Sequence, residues 1–126
     1  MAGRHGPSIW FWRALLVLLA VSVFVVANLP TGMASSVFAN DKANHALAFA
    51  ALTPLVVFSF PGLRLMAIFC GLLIFNAGIE ITQGTLGLGR QPEVLDWVAG
   101  ALATAAVLVL IQIARLLRAA LAKKAQ

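Results

Sequence analysis

Apolar residues run almost unbroken through four stretches of the chain, each separated from the next by a short polar or glycine–proline interval. The first stretch, Ile9 to Leu29, is interrupted near its start by Arg13, and the second, Ala43 to Leu63, carries no formal charge. The third, Leu65 to about Gly84, holds Glu80 near its end, and the fourth, Val94 to Ala114, holds Asp96 in its first turn. A hydrocarbon core about 30 Å thick is crossed by roughly 20 helical residues. The pattern therefore predicts transmembrane helices over 9–29, 43–63, 65–84 and 94–114. The intervals between them are Pro30 to Lys42, the Phe60-Pro61-Gly62 turn, and Gly84 to Glu93. Connections this short make consecutive helices antiparallel. The predicted fold is all-α, an integral membrane bundle of four transmembrane helices with short loops, with residues 1–126 as a single domain.

Composition supports this reading and narrows it. Hydrophobic residues make up 62% of the 126 and charged residues only 10%, too little polar surface to cover a soluble domain of this size. An ordinary cytosolic domain, a disordered chain and a fibrous repeat are excluded. The formal net charge of +5 does not point to nucleic acid, because the nine Lys and Arg are spread over the whole chain and form no basic helix with interleaved aromatics. Their distribution gives an orientation instead. With the N-terminus cytoplasmic, Arg4, Arg13, Arg64, Arg115, Arg118, Lys123 and Lys124 lie inside, and only Lys42 and Arg90 lie outside. That bias predicts a multi-pass protein of the cytoplasmic (inner) membrane with both termini cytoplasmic. Trp10 and Trp12 suit the inner interface and Trp97 the outer one. Ala14 to Ala27 also has the length of a signal-peptide core, and Val37-Phe38-Ala39 could serve as a cleavage site; cleavage would leave three spans in the same orientation. The lone Cys70 makes no internal disulfide and reads as a small buried hydrophobe.

Local signals refine the helices. Asn40 or Asp41 can cap the second helix, Pro54 is expected to kink it, and Pro92 suits the first turn of the fourth. Gly84, Gly87 and Gly89 shape the loop before it. Small residues at helical spacing, namely Ala46 with Ala50, Gly71 with Gly78, and Gly100 with Thr104, predict close helix packing.

The few polar residues carry the chemistry. Asp41, Lys42 and His45 open the second helix, and Asp41 and His45, four apart, share a face. Asn76, Glu80 and Gln83 share a face of the third helix, Arg90 lies in the following loop, and Asp96 begins the fourth. The topology brings all of them to the outer end of the bundle. Glu80 is the anchor, since a charge inside a membrane costs about 2.5–3.5 kcal/mol at the centre and less near the interface. It needs a partner, and Arg90 and His45 are the available cations. Structural roles compete with functional ones here. Asp41 could be only a cap, His45 an interfacial histidine bonded to backbone, and Glu80 with Arg90 a structural ion pair. Asn76 and Gln83 could simply join helices, and Lys42, Gln91 and Glu93 could be solvated.

Asp41-Lys42-Ala43-Asn44-His45, then Gly78-Ile79-Glu80-Ile81-Thr82-Gln83, then Gly89-Arg90 and Asp96 with Gly100 form a pattern that resembles the VanZ-like family of small bacterial membrane proteins. The pattern covers residues 41 to 100, close to half the chain. It departs from the family in having Gln91-Pro92-Glu93-Val94-Leu95 where a Ser or Thr usually stands between the Arg and the Asp, and Phe49 where a Tyr commonly follows the His. The resemblance implies a protein of the bacterial cytoplasmic membrane, linked through the family's namesake to glycopeptide (teicoplanin) tolerance. It also marks Asp41, His45, Glu80, Gln83, Arg90 and Asp96 as functional positions. It supplies no reaction.

Three uses of these residues stay open. In an enzyme acting on a lipid or lipid-linked envelope precursor, Asp41, His45, Glu80 and Asp96 are the candidate acids and bases. Arg90, Gln83 and Lys42 would then bind substrate, Arg90 by gripping a phosphate or carboxylate. No Ser or Cys nucleophile stands out. In a non-catalytic binder or head-group shield, Arg90 and Lys42 attract an anionic lipid or drug. In a third reading, His45, Asp41, Glu80 and Asp96 hold a divalent metal of the Mn or Mg type; their spacing matches no metal motif, so no cofactor is expected. A transporter is disfavoured by the lack of a repeat. Membrane lipids or a lipid-linked precursor are the expected partners, and no nucleic acid.

Overall fold

The computed structural model describes residues 6–30 and 40–125. They form four α-helices: α1 (Ile9–Asn28), α2 (Asp41–Ser59), α3 (Leu65–Leu86) and α4 (Val94–Lys124), with no strand among the described residues. Arg4 and the Val37-Phe38-Ala39 cleavage motif lie outside the described residues. α1, α3 and α4 are long and apolar enough to cross a membrane. α2, which carries Asp41, Lys42, Asn44 and His45 in its first turns, does not meet that standard.

Several predicted boundaries move, most at α2 and α4. α2 begins at Asp41 because the Asn40 side chain accepts the Lys42 backbone N–H (2.9 Å). It ends at Ser59 and not near residue 63, since Pro61 disfavours a helical Phe60. Pro54 lies inside α2 without ending it. α4 continues ten residues past Ala114, to Lys124, through a run of good helix formers such as Leu116, Leu117 and Ala119 with no glycine or proline to stop it.

The core is built from three rows of residues at a spacing of four, one on each of α2, α3 and α4. On α2 the row is His45, Phe49, Thr53 and Val57; on α3 it is Glu80, Asn76, Leu72 and Ile68; on α4 it is Asp96, Gly100, Thr104 and Leu108, and all are buried. A spacing of four keeps a residue on one face, one turn further along. α2 and α4 descend as α3 ascends, so the rows meet in layers. The first layer is charged, the next pairs an aromatic, an amide and a glycine, and the last is aliphatic, where Val57, Ile68 and Leu108 join the apolar core cluster. α2 packs most extensively against α4 and also touches α1 and α3. Its buried polar residues, His45, Thr53 and Ser59, therefore face protein, which accounts for its modest hydropathy. Close approach in the second layer depends on Gly100: a Cβ there would stand 2.5 Å from Asn76 Nδ2 and 2.9 Å from Phe49 Cδ2. Gly71 and Gly78, expected to serve the same purpose, have nothing within 4 Å of a built Cβ, so they are not points of helix contact among the described residues. Cys70 is exposed, contrary to its reading as a buried hydrophobe, because it lies on the outer side of α3.

Helix ends are closed by neighbours. The last carbonyls of a helix lack partners within it. Gln83 Nε2 donates to Ala27 O (2.8 Å) and Arg90 Nε to Leu29 O (3.3 Å), so α3 and the α3–α4 loop terminate α1. At the opposite end of the bundle Arg13 Nε donates to Ser59 O (3.3 Å), terminating α2, while its guanidinium stacks 5.0 Å from the Trp10 ring and 5.1 Å from Phe60.

Candidate functional site

The polar residues of α2, α3 and α4 do assemble at one end of the bundle. The first turn of α2, the last two turns of α3 and the first turn of α4 reach that end because α3 runs opposite to the other two. The loop between α3 and α4 turns sharply at Gly87 (φ 62°) and Gly89 (φ 81°), conformations that glycine adopts without strain.

Glu80 meets His45 and not Arg90. His45 Nε2 lies 3.8 Å from Glu80 Oε1, and Glu80 Oε2 accepts the Glu93 backbone N–H at 3.0 Å. That N–H stands at the start of α4, where the helix dipole and uncommitted amides favour an anion. The expected Glu80–Arg90 pair is thus replaced. Arg90 instead reaches α2, with Nη1 3.3 Å from Asp41 Oδ2. Asp41 is half exposed at 52% of its side chain, against 14% for Arg90, so this ion pair adds little stability. Asp41 and His45 share a helix face as expected but separate in partner: one turns to Arg90, the other to Glu80.

Lys42 and Glu93 are not simply solvated. Lys42 Nζ lies 2.7 Å from Glu93 Oε2 and 3.4 Å from Asp96 Oδ1, tying α2 to the start of α4. Glu93, read from the sequence only as solvated, is part of this junction. Its signal was available, for Glu93 and Asp96 stand three apart at a helix start and so face the same neighbour. Asn76 and Gln83 do join helices. Asn76 Nδ2 donates to Trp97 O (2.8 Å), and Gln83 is held on α1. Trp97 returns the link from α4 to α3, its indole N–H donating to Leu73 O at 3.2 Å.

His45, Glu80 and Asp96 form the buried centre. One ring nitrogen and one oxygen from each carboxylate lie within 4.8 Å of one another. Asp41, the fourth residue considered for a metal, is engaged elsewhere. On one side the centre borders a groove of about 520 Å³ between α1 and α2. Leu19, Val23, Val26, Ala48, Phe49 and Ile79 line its length, and Asp41, Asn44, His45 and Arg90 close one end. Its volume falls in the usual range for ligand sites. Glu80 borders a second cavity of about 440 Å³ against Pro92, Val94 and Trp97.

The arrangement can grip an anion through Arg90, exchange a proton between His45 and Glu80, or accept a cation among buried acids. Comparison with known proteins does not choose between these, as no family model, no curated protein and no solved structure matches the chain.

Proposed function

We propose that this chain is a VanZ-like protein of the bacterial cytoplasmic membrane that holds one anionic amphiphile, a lipid or lipid-linked envelope precursor, in the groove between α1 and α2. The observation that carries the reading is the shape of that groove: apolar along its length apart from Ser22, whose hydroxyl donates to Leu18 O, and with its charged and remaining polar groups at the end where Arg90, Asp41, Asn44 and His45 meet. An acyl or prenyl chain matches the first part and a phosphate-bearing head group the second. Arg90 suits the head group because its Nε and Nη1 are engaged on Leu29 O and Asp41. Its Nη2 donors remain for a ligand among the described residues, and guanidinium favours planar, paired contacts with phosphate.

In this reading all four helices cross the membrane, α2 included, since α1, α3 and α4 all lie against it. Both termini are cytoplasmic and the head-group end of the groove opens to the outer leaflet. Single cysteines at positions 90 and 123, in a Cys70→Ser background, test the orientation: an impermeant thiol reagent applied to intact cells should label position 90 and spare position 123. The opposite pattern would reverse the topology.

Binding is tested by native mass spectrometry of the detergent-solubilised protein mixed with phosphatidylglycerol, a polyprenyl monophosphate, or phosphatidylcholine as the neutral comparator. One anionic lipid per chain is expected. A charge-assisted hydrogen bond contributes about 1.5–3 kcal/mol, so Arg90→Gln should weaken retention roughly tenfold to a hundredfold. Equal retention of phosphatidylcholine, or an Arg90→Gln protein that binds like the wild type, would remove the proposal.

A further inference from the structure

We infer that His45, Glu80 and Asp96 form a binding site for a divalent metal ion of the Mn2+ class, at the junction of α2, α3 and α4. The first ground is geometric. One donor atom from each residue lies within 4.8 Å of the other two, and the three side chains are only 9%, 11% and 7% exposed. An ion with bonds of about 2.1 Å draws neighbouring ligand atoms to about 3 Å. Small side-chain rotations close that difference without moving a helix.

The second ground is that these side chains end in atoms with no hydrogen-bond partner. His45 Nδ1, Glu80 Oε1 and Asp96 Oδ1 are each buried and unbonded. The His45–Glu80 contact, at 3.8 Å, exceeds hydrogen-bond length, and Lys42 approaches Asp96 Oδ1 at 3.4 Å without making a hydrogen bond. Buried polar atoms are nearly always satisfied, and a cluster of unbonded ones fits a bound ion. Three unbonded buried atoms, on side chains that three helices bring together, are more than a cap or an ion pair requires.

The third ground is charge. Glu80 and Asp96 lie together at this centre, and the one ammonium that approaches it among the described residues, Lys42, is shared between Asp96 and Glu93. Three negative charges and one positive leave two negative charges uncompensated, and a divalent ion with neutral imidazole brings the group to zero. Buried charge of one sign is costly unless paired or metal-bound. Two carboxylates and one imidazole suit Mn2+, which accepts both oxygen and nitrogen, and leave coordination positions open. His45 borders the groove and Glu80 the second cavity, which gives the ion two routes in. This inference does not depend on lipid binding.

The test is Mn2+ titration of the detergent-solubilised full chain, followed by electron paramagnetic resonance. Loss of the free-ion signal should report one Mn2+ per chain, and electron spin-echo modulation should show a coordinated imidazole nitrogen. Glu80→Gln and Asp96→Asn should each lower affinity roughly tenfold or more, and His45→Gln should abolish the nitrogen signature. Lys42→Met, which removes the competing ammonium, should tighten binding. Size-exclusion profiles identify any variant that fails to fold, and the wild-type measurement stands without the variants. Absence of stoichiometric binding by the wild type up to about 1 mM, the weak end of biological divalent sites, overturns the inference. So does binding that lacks the nitrogen signature. Either result leaves the lipid-binding experiment unaffected.

Discussion

Gly100→Ala is expected to destabilise the bundle by about 1–3 kcal/mol, the cost of overpacking a filled core, and Gly100→Leu to prevent the folded state from accumulating. A methyl group at Gly100 meets Asn76 Nδ2 at 2.5 Å, Phe49 Cδ2 at 2.9 Å and Asn76 Cγ at 3.2 Å. Neither neighbour yields easily. Asn76 is fully buried with its amide bonded to Trp97 O, and Phe49 is buried beneath the same layer. Moving Asn76 would also break the link between α3 and α4. Gly71 provides the comparison: it is exposed, helical and open. There alanine should stabilise by about 0.5–1 kcal/mol, through lower backbone entropy in the unfolded chain. The two substitutions are chemically identical and should have opposite signs, measured as unfolding in detergent with increasing sodium dodecyl sulfate. Equal effects would mean that α2, α3 and α4 do not meet at this layer.

Ala48→Trp is expected to abolish retention of the anionic lipid while the bundle stays folded. Ala48 lines the groove between α1 and α2 beside Phe49, and an indole there fills the space proposed for the chain of the amphiphile. Its effect differs in kind from that of Arg90→Gln. The arginine variant loses the charge contact and should still retain neutral and anionic lipid weakly, whereas a blocked groove should retain neither. Ile74→Trp, on the exposed outer side of α3, controls for the added bulk. Native mass spectrometry reads both, and an Ala48→Trp protein that keeps its lipid would move the binding place out of the groove.

The helices were legible in the sequence because a membrane imposes a length on apolar runs, and α1, α3 and α4 meet it. Their ends were less so. The stop of α2 at Ser59 follows from Pro61, two residues on, yet the apolar run continued past it and carried the expected boundary to residue 63. The convergence of Asp41, His45, Glu80, Arg90 and Asp96 was also legible, since it requires only chain order and alternating direction. The pairing was not. Arg90 and His45 were equal partners for Glu80 until the rotation of α3 and the turn at Gly87 and Gly89 were known, and that turn carries Arg90 past Glu80 to Asp41. Spacing along one helix says which residues share a face. It does not say which face of the neighbour they meet, and for that reason the pairing of Lys42 with Glu93 and Asp96 emerges only from the structure.

The length of α4 has a consequence for where the protein sits. Its 31 residues extend about 46 Å at 1.5 Å per residue, well beyond the roughly 30 Å of a hydrocarbon core. In the orientation proposed above, with Val94 at the outer surface, the final ten residues would emerge on the other side as a rigid rod. This segment is exposed throughout and holds Arg115, Arg118, Lys123 and Lys124 with no acidic residue. Anionic inner-leaflet lipids attract each such cation by about 1 kcal/mol, and Leu117 and Leu121 lie among them for burial at the same boundary. The rod acts as ballast. Because α4 is one continuous helix from Val94 to Lys124, the charge density of the leaflet at its C-terminal end would, in the proposed orientation, set the immersion depth of Asp96 at its far end. A change in the composition of that leaflet would then raise or lower the polar cluster of His45, Glu80 and Asp96 relative to the opposite membrane surface.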